Sequence, residues 1–337
     1  MRDRCNTSSV VAAVVFVTTS ATLAASEVFA QDAQPVSVIA FPGAGNWPIR
    51  IAQEKGYFAQ NRIEVTLSPT PSSVFQMTSL IAGKFDIAMT AADNVIAYLE
   101  GQGEAPISGQ PDLFMFMGGS PSIPALVTVP EIKTYAELEG KTLAVDALTT
   151  GYAFVLFDLL KRNGLQLGDY KVESAGGTLA RWQSMRERRY AAAMLTSPFD
   201  LIASADGFHV LQYTKDIYGR YEESVATTRR AWAAAHEDKL LAFIRTYVTA
   251  VEWLRDPRNK KEAIGILRKS LAQMTPEIAA GTYANFVGPR GIAAKAQLDI
   301  EGIRKVLELR GEYGQPKKTL SDPARYYDLR YYDTAIR

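Results

Sequence analysis

The sequence predicts an α/β protein of two lobes, in which mainly parallel sheets are flanked by helices and the C-terminal region is helical. Three observations predict this class. Strand-like and helix-like segments alternate from about residue 35 to residue 212, the alternation occurs twice, and 337 residues are more than one small core needs. Alternating strands and helices form parallel sheets that are covered on both faces.

The first thirty residues resemble a removable export signal. Arg2 and Arg4 precede an apolar run at residues 10–25, and a small-residue cleavage site ends at Ala30. The alternative is a membrane anchor, but the run is short for a bilayer span of roughly 20 residues. Cleavage near Ala30 leaves 307 residues and removes Cys5, the only cysteine. We therefore expect a periplasmic protein without disulfides or thiolate chemistry.

The first half alternates four strands with three helices. Pro48 suits the first turn of a helix and Gly56 its end, while Ser72 is a typical N-cap residue. In chain order we predict a strand at 36–41, a helix at 48–56, a strand at 63–67, a helix at 72–83, a strand at 85–90, a helix from Asp93 and a strand at 113–117.

The second half has the same kind of order. We predict strands at 142–145, 170–173, 191–195 and 209–212, with helices at 152–163, 179–189 and 199–205. The segment at 87–90 (IAMT) matches that at 193–196 (AMLT), which indicates a weak internal repeat. Between the halves, residues 118–124 are rich in turn formers and predict a crossover strand or hinge, with a surface loop as the alternative. Beyond Arg220 we predict helices at 236–255, 258–271 and 300–310, then a packed tail at 326–337.

Ligands of open parallel sheets gather beyond the carboxyl ends of the strands. Six loops occupy such positions, and each begins a helix whose free N–H groups favour an anionic group. The alternative is that serines and threonines there only cap helices, and that the aromatic residues belong to the core. The predicted ligand-binding residues are Gly45, Asn46, Trp47, Ser72, Ser73, Ala92, Asp93, Asn94, Asp146, Thr149, Thr150, Gly151, Tyr152, Gly177, Thr196, Ser197 and Phe199.

Catalytic and metal-binding motifs are missing from the sequence. The segment at 43–48 (GAGNWP) has Pro48 in place of the third glycine of a dinucleotide fingerprint, and no phosphate-binding, zinc-protease or nucleophile-elbow motif occurs. His209 and His236 are the only histidines. A net charge of +1 argues against nucleic acid as a partner. We expect no catalytic residue, no cofactor and no metal, and no basic side chain directed at the ligand, because Arg50 and Arg181 lie inside predicted helices.

Three segments resemble solute-binding proteins of ATP-driven importers for nitrate, taurine, alkanesulfonates and thiamine-pyrimidine precursors. They are residues 52–58 (AQEKGYF) leading into 63–65, residues 80–88 (LIAGKFDIA) and residues 137–145 (ELEGKTLAV). The likeness covers roughly residues 36–255. It implies a type II periplasmic-binding fold, with a first lobe at 31–120, a second lobe at 121–218, and a return to the first lobe with C-terminal helices at 219–337. The second crossover would then lie near residues 215–220.

The resemblance also implies a function: capture of a small organic solute between the lobes and its delivery to an ABC permease, by a monomer. A carboxylate, a sulfonate or a heterocycle would fit the predicted loops. Two alternatives stay open. One is a thiamine-pyrimidine-synthase-like enzyme, against which the loss of the single cysteine argues. The other is a ligand sensor for a membrane receptor.

Overall fold

The computed structural model describes residues 33–119, 124–271 and 273–337, and it places ten strands there in two five-stranded sheets. The predicted signal peptide and most of the predicted hinge segment lie outside these residues. The strands are β1 (Gln34–Ala40), β2 (Ile63–Pro69), β3 (Ile87–Ala91), β4 (Leu113–Gly118), β5 (Ala125–Thr128), β6 (Thr142–Val145), β7 (Lys171–Ser174), β8 (Ala192–Leu195), β9 (His209–Tyr213) and β10 (Ser224–Arg229).

Helices cover both faces of each sheet, as predicted for an α/β class. They are α1 (Trp47–Glu54), α2 (Tyr57–Gln60), α3 (Ser73–Ile81), α4 (Ala92–Leu99), α5 (Gly151–Arg162), α6 (Thr178–Arg186), α7 (Phe199–Ala205), α8 (Lys215–Tyr218), α9 (Arg230–Ala235), α10 (Glu237–Arg255), α11 (Lys260–Ser270), α12 (Pro276–Val287), α13 (Ile300–Tyr313) and α14 (Arg330–Ala335). Ser72 accepts a hydrogen bond from the Phe75 N–H and caps α3, as predicted.

Both sheets have the same strand order. The first is β2-β1-β3-β10-β4 and the second is β7-β6-β8-β5-β9. In each, one strand that has crossed over from the other sheet, β10 or β5, runs antiparallel to both of its neighbours, and the other four strands share one direction. The mainly parallel prediction is therefore confirmed, and the matching order agrees with the predicted internal repeat.

Each sheet forms the centre of one lobe. The chain passes from the first sheet to the second between Gly118 and Ala125, and it returns between Tyr213 and Ser224. Apolar side chains on the two faces of each sheet form separate cores under their helices. The positions of the lobe boundaries, at residues 30, 120 and 218, stay predictions.

Helix α13 contacts both lobes. Its Ile303 and Val306 belong to a core of the first lobe, whereas Leu309 belongs to a core of the second. At its end, Tyr313 stacks on Phe154 of α5 with ring centroids 6.0 Å apart. The C-terminal region is thus part of the lobe–lobe contact as well as of the first lobe.

Four elements beyond residue 220 differ from the prediction of three helices and a tail there. Strand β10 lies inside the first sheet, between β3 and β4, and α9, α12 and α14 are additional helices. Thr227 and Thr228 of β10 are fully buried because their hydroxyls donate to the carbonyls of Phe114 and Asp86. Because these two buried residues are polar, the hydrophobic pattern of the sequence did not indicate a buried strand here. Among the described residues, every helix is too short or too polar to cross a bilayer.

Candidate ligand-binding site

A cavity lies between the lobes, where loops at the carboxyl ends of strands from both sheets meet. Its volume is about 70 Å³, several times the roughly 10–15 Å³ that one water needs. The first lobe and the crossover contribute Phe41, Gly45, Asn46, Met89, Thr90, Ala91, Asn94, Tyr221, Glu223 and Ser224. The second lobe contributes Asp146, Thr150, Gly151, Tyr152, Thr178, Arg181 and Thr196.

Eight of the predicted ligand-binding residues line this cavity. They are Gly45, Asn46, Asn94, Asp146, Thr150, Gly151, Tyr152 and Thr196. They come from four of the six predicted loops, two in each lobe. The rule that ligands gather beyond the carboxyl ends of strands therefore brings together residues that are about 150 positions apart in the sequence.

Two predicted aromatic contacts lie in the cores instead. The Trp47 indole N–H donates to the Ala263 carbonyl at 3.0 Å, and its ring packs edge-on against Tyr283 and Phe286. Phe199 is 1% exposed and belongs to a core of the second lobe. Both begin helices, and both side chains pack into a core instead of lining the cavity.

Three other predicted residues, Ser73, Asp93 and Gly177, form contacts between the lobes or with α13. The Ser73 N–H donates to the Asp146 carboxylate at 3.1 Å, and the Gly177 N–H donates to the Pro71 carbonyl at 2.8 Å. Arg310 binds the Asp93 carboxylate through two nitrogens, at 2.7 and 2.6 Å. These groups close the cleft directly, because each partner belongs to a different lobe or to α13, which lies between them.

The remaining four predicted residues make other contacts within the protein. Thr149 accepts from Arg310 through its carbonyl at 2.7 Å, and Ser197 donates to Asp200 at 2.8 Å. Ser72 caps α3, and the Ala92 N–H donates to the Glu223 carbonyl at 2.9 Å. None of these four lines the cavity described above.

Arg181 corrects the expectation that no basic side chain faces the site. It lies inside α6 as predicted, but its side chain points back toward the start of the helix, as side chains on helices do. The guanidinium thereby reaches the cavity wall and donates to the Gly176 carbonyl at 2.6 Å, the Thr178 hydroxyl at 2.9 Å and the Met194 carbonyl at 2.7 Å.

Burial lowers the pKa of Arg181 to about 10, while Asp146 opposes this shift. The guanidinium thus stays cationic at neutral pH. It also lies 5.7 Å from the centre of the Tyr152 ring, a distance at which a cation and an aromatic face attract each other. The wall of the second lobe therefore presents a fixed positive charge beside an aromatic ring.

Tyr221 and Glu223 were also missed, because they come from the crossover between the sheets rather than from a loop at a strand end. Both precede β10, the strand that the sequence did not reveal. Glu223 is 5% exposed, and burial raises the pKa of its carboxyl well above the usual range. The apolar residues Phe41 and Met89 also line the cavity.

The described lining of the cavity does not bring together the acids that the sequence offered as catalytic candidates. Neither histidine lines it, and Asp93, one of the two acids that an enzyme would need in one pocket, is instead fully buried in its pair with Arg310. Asp146 is the other, and its carboxylate already accepts from Ser73. The arrangement offers hydrogen bonds, one cation, two acids and aromatic walls, which suit reversible binding of a small solute.

Comparison with protein families decides the relationship. The model of the family described as NMT1/THI5 like matches residues 46–260, which is more than half of the chain. The chain belongs to this family. The match includes every loop of the second lobe that lines the cavity and most of those of the first.

Solved structures share the fold of this NMT1/THI5-like protein at low sequence identity. The nitrate-binding protein NrtA of Synechocystis PCC 6803 superposes with a TM-score of 0.76 at 12% identity, covering 90% of this chain and 88% of that one. The alkanesulfonate-binding protein SsuA of Xanthomonas axonopodis pv. citri, bound to MOPS, gives 0.68 at 17%, covering 87% and 98%.

A ligand-binding component of an ABC-type import system from Staphylococcus aureus, with zinc bound, gives a TM-score of 0.73 at 13% identity, covering 90% of this chain and 99% of that one. No curated protein sequence matches this chain significantly. The comparisons confirm the suspected family and the two-lobed periplasmic-binding fold.

Proposed function

We propose that this protein is the solute-binding component of an ABC importer and delivers a small organic solute to a membrane permease. The observation that carries the proposal is the cavity between the lobes, whose walls come from both. A solute that contacts both walls is bound fully only when the lobes are closed, so binding shifts the population toward the closed form. Structural neighbours that are ligand-binding components of importers support this proposal.

A survey of candidate solutes tests capture. The mature protein, residues 31–337, is heated with small organic acids, sulfonates, amines and pyrimidines. We expect a solute of the correct class to raise the melting temperature, because at 100 times its Kd it adds about 2.7 kcal/mol to the free energy of unfolding. Titration calorimetry of that solute should give one site per chain. A solute that is consumed during the titration would mean catalysis instead of capture.

Export is the second part of the proposal. We propose that the first thirty residues direct the chain to the periplasm and are removed after Ala30. The protein recovered from the periplasm of a Gram-negative host should begin at Gln31, as shown by the mass of the intact chain. A full-length chain that stays in the membrane fraction would contradict this and would favour an anchor.

The partners follow from the same proposal: one small solute, an ABC permease, and no nucleic acid. We propose that the protein acts as a monomer. Light scattering of the mature protein should therefore give the mass of a single chain of 307 residues, with and without solute.

A further inference from the structure

Glu223 is held rigidly at the wall of the cavity. Its carbonyl accepts from the Ala92 N–H at 2.9 Å, and Ser224, the next residue, pairs with Ala91 at the start of β10. The side chain is 5% exposed and lines the cavity, and it also borders an adjoining cleft at the crossover. The backbone that carries this carboxyl is thus held in place at the start of β10.

Both carboxylate oxygens of Glu223 lack a hydrogen-bond partner in the part of the chain that the structure describes. Other buried acids are satisfied there: Asp93 by Arg310, Glu222 by the Asp299 N–H at 2.7 Å and Asp200 by Ser197. A buried polar group without a partner is costly and therefore uncommon in proteins. The unpaired carboxyl of Glu223 therefore indicates a binding partner that is absent from the described part of the protein itself.

The one cation that lines this cavity among the described residues does not bind Glu223. Arg181 lines the same cavity, but the hydrogen bonds of its three nitrogens go to two carbonyls and a hydroxyl of the second lobe. Burial of Glu223 also disfavours its charged form. A solute with a cationic N–H donor would supply the partner that both oxygens lack, and its charge would offset the effect of burial on the carboxylate.

We propose that the solute carries a nitrogen-centred hydrogen-bond donor, as a protonated amine, an amidine or a ring amino group, and that Glu223 binds it. This rests on the proposed function and narrows its ligand class. An added cation would convert an unpaired buried acid into a charge-assisted pair. Phe41, Tyr152 and Tyr221 line the same cavity and suit a flat cationic group. Simple carboxylates and sulfonates lack the donor.

Two pairs of probes of nearly equal shape test this with the mature protein. Acetamidinium is compared with acetate, and 4-aminopyrimidine with pyrimidine, by titration calorimetry. We expect the member with N–H donors to bind at least tenfold more tightly in each pair. Glu223→Met should remove this preference, whereas the matched change Glu64→Met, at an exposed position of β2, should leave it unchanged.

A second readout needs no ligand. Without solute, Glu223→Met should melt at a temperature equal to or higher than that of the wild type, because it removes an unsatisfied buried carboxyl. A structural role predicts a clear fall instead, and that fall would overturn the proposal. So would tight binding of acetate without its amidine analogue, or binding of no probe. Capture itself would still be judged by the wider survey of acids and sulfonates.

Discussion

Arg310→Met is expected to lose about 3–5 kcal/mol of the free energy of unfolding. The side chains of Arg310 and Asp93 are 0% and 2% exposed, and removal of one member of a buried pair leaves the other uncompensated. The change also removes the bond to the Thr149 carbonyl, at 2.7 Å, and the guanidinium 4.8 Å from the Phe154 ring. Urea unfolding monitored by circular dichroism measures the loss.

Arg304→Met is the matched control for this change. Arg304 lies on the same helix and pairs with Glu301 at 3.2 Å, but its side chain is 52% exposed. Its loss should cost less than about 1 kcal/mol, because exposed ion pairs contribute little. The double change Asp93→Asn with Arg310→Met should recover part of the stability. If Arg310→Met were no more harmful than Arg304→Met, α13 would not join the lobes as described.

Gly151→Ala is expected to weaken solute binding by tenfold to a hundredfold. A methyl group at Gly151 would lie 2.7 Å from the Tyr221 hydroxyl and 2.8 Å from Cβ and Cγ of Asp93, both outside the second lobe. Arg310 holds Asp93 in place, so the lobes must move apart. Overpacking of this kind costs about 1–3 kcal/mol, and here the cost falls on the closed form alone.

Gly265→Ala is the control for this prediction. Gly265 lies exposed within α11, and an added methyl group has nothing within 4 Å. That change should stabilise the helix by about 0.5–1 kcal/mol and leave affinity unchanged. Calorimetric titration of both variants with the best solute of the survey measures the difference. Wild-type affinity in Gly151→Ala would show that closure does not bring these lobes into the described contact.

The fold was predictable because most of its strands are short apolar runs bounded by turn residues. The boundaries of β6 and α7 agree with the predictions at both ends. Strand β10 was not predictable in this way, since Thr227 and Thr228 reach burial through their own hydrogen bonds. Sequence periodicity reports apolar burial, and it cannot report polar burial that depends on a partner more than a hundred residues away.

The site was predictable at the level of loops and less so at the level of side chains. A loop at a strand end is placed by topology, which explains Asn46, Asn94 and Asp146. Which side chain faces the cavity depends on how each helix is packed. Trp47, at the start of a helix, lies in a core, whereas Arg181 reaches the cavity wall from within a helix. Tyr221 and Glu223 lie on the crossover, which only the pairing of β10 defines.

The most direct test of the central claim, capture of one solute between two closing lobes, is small-angle scattering of the mature protein with and without the best solute of the survey. We predict a smaller radius of gyration when the solute is saturating, because binding populates the closed form. Gly151→Ala should show a smaller decrease at the same solute concentration. A radius of gyration that is unchanged at full occupancy would contradict capture by lobe closure.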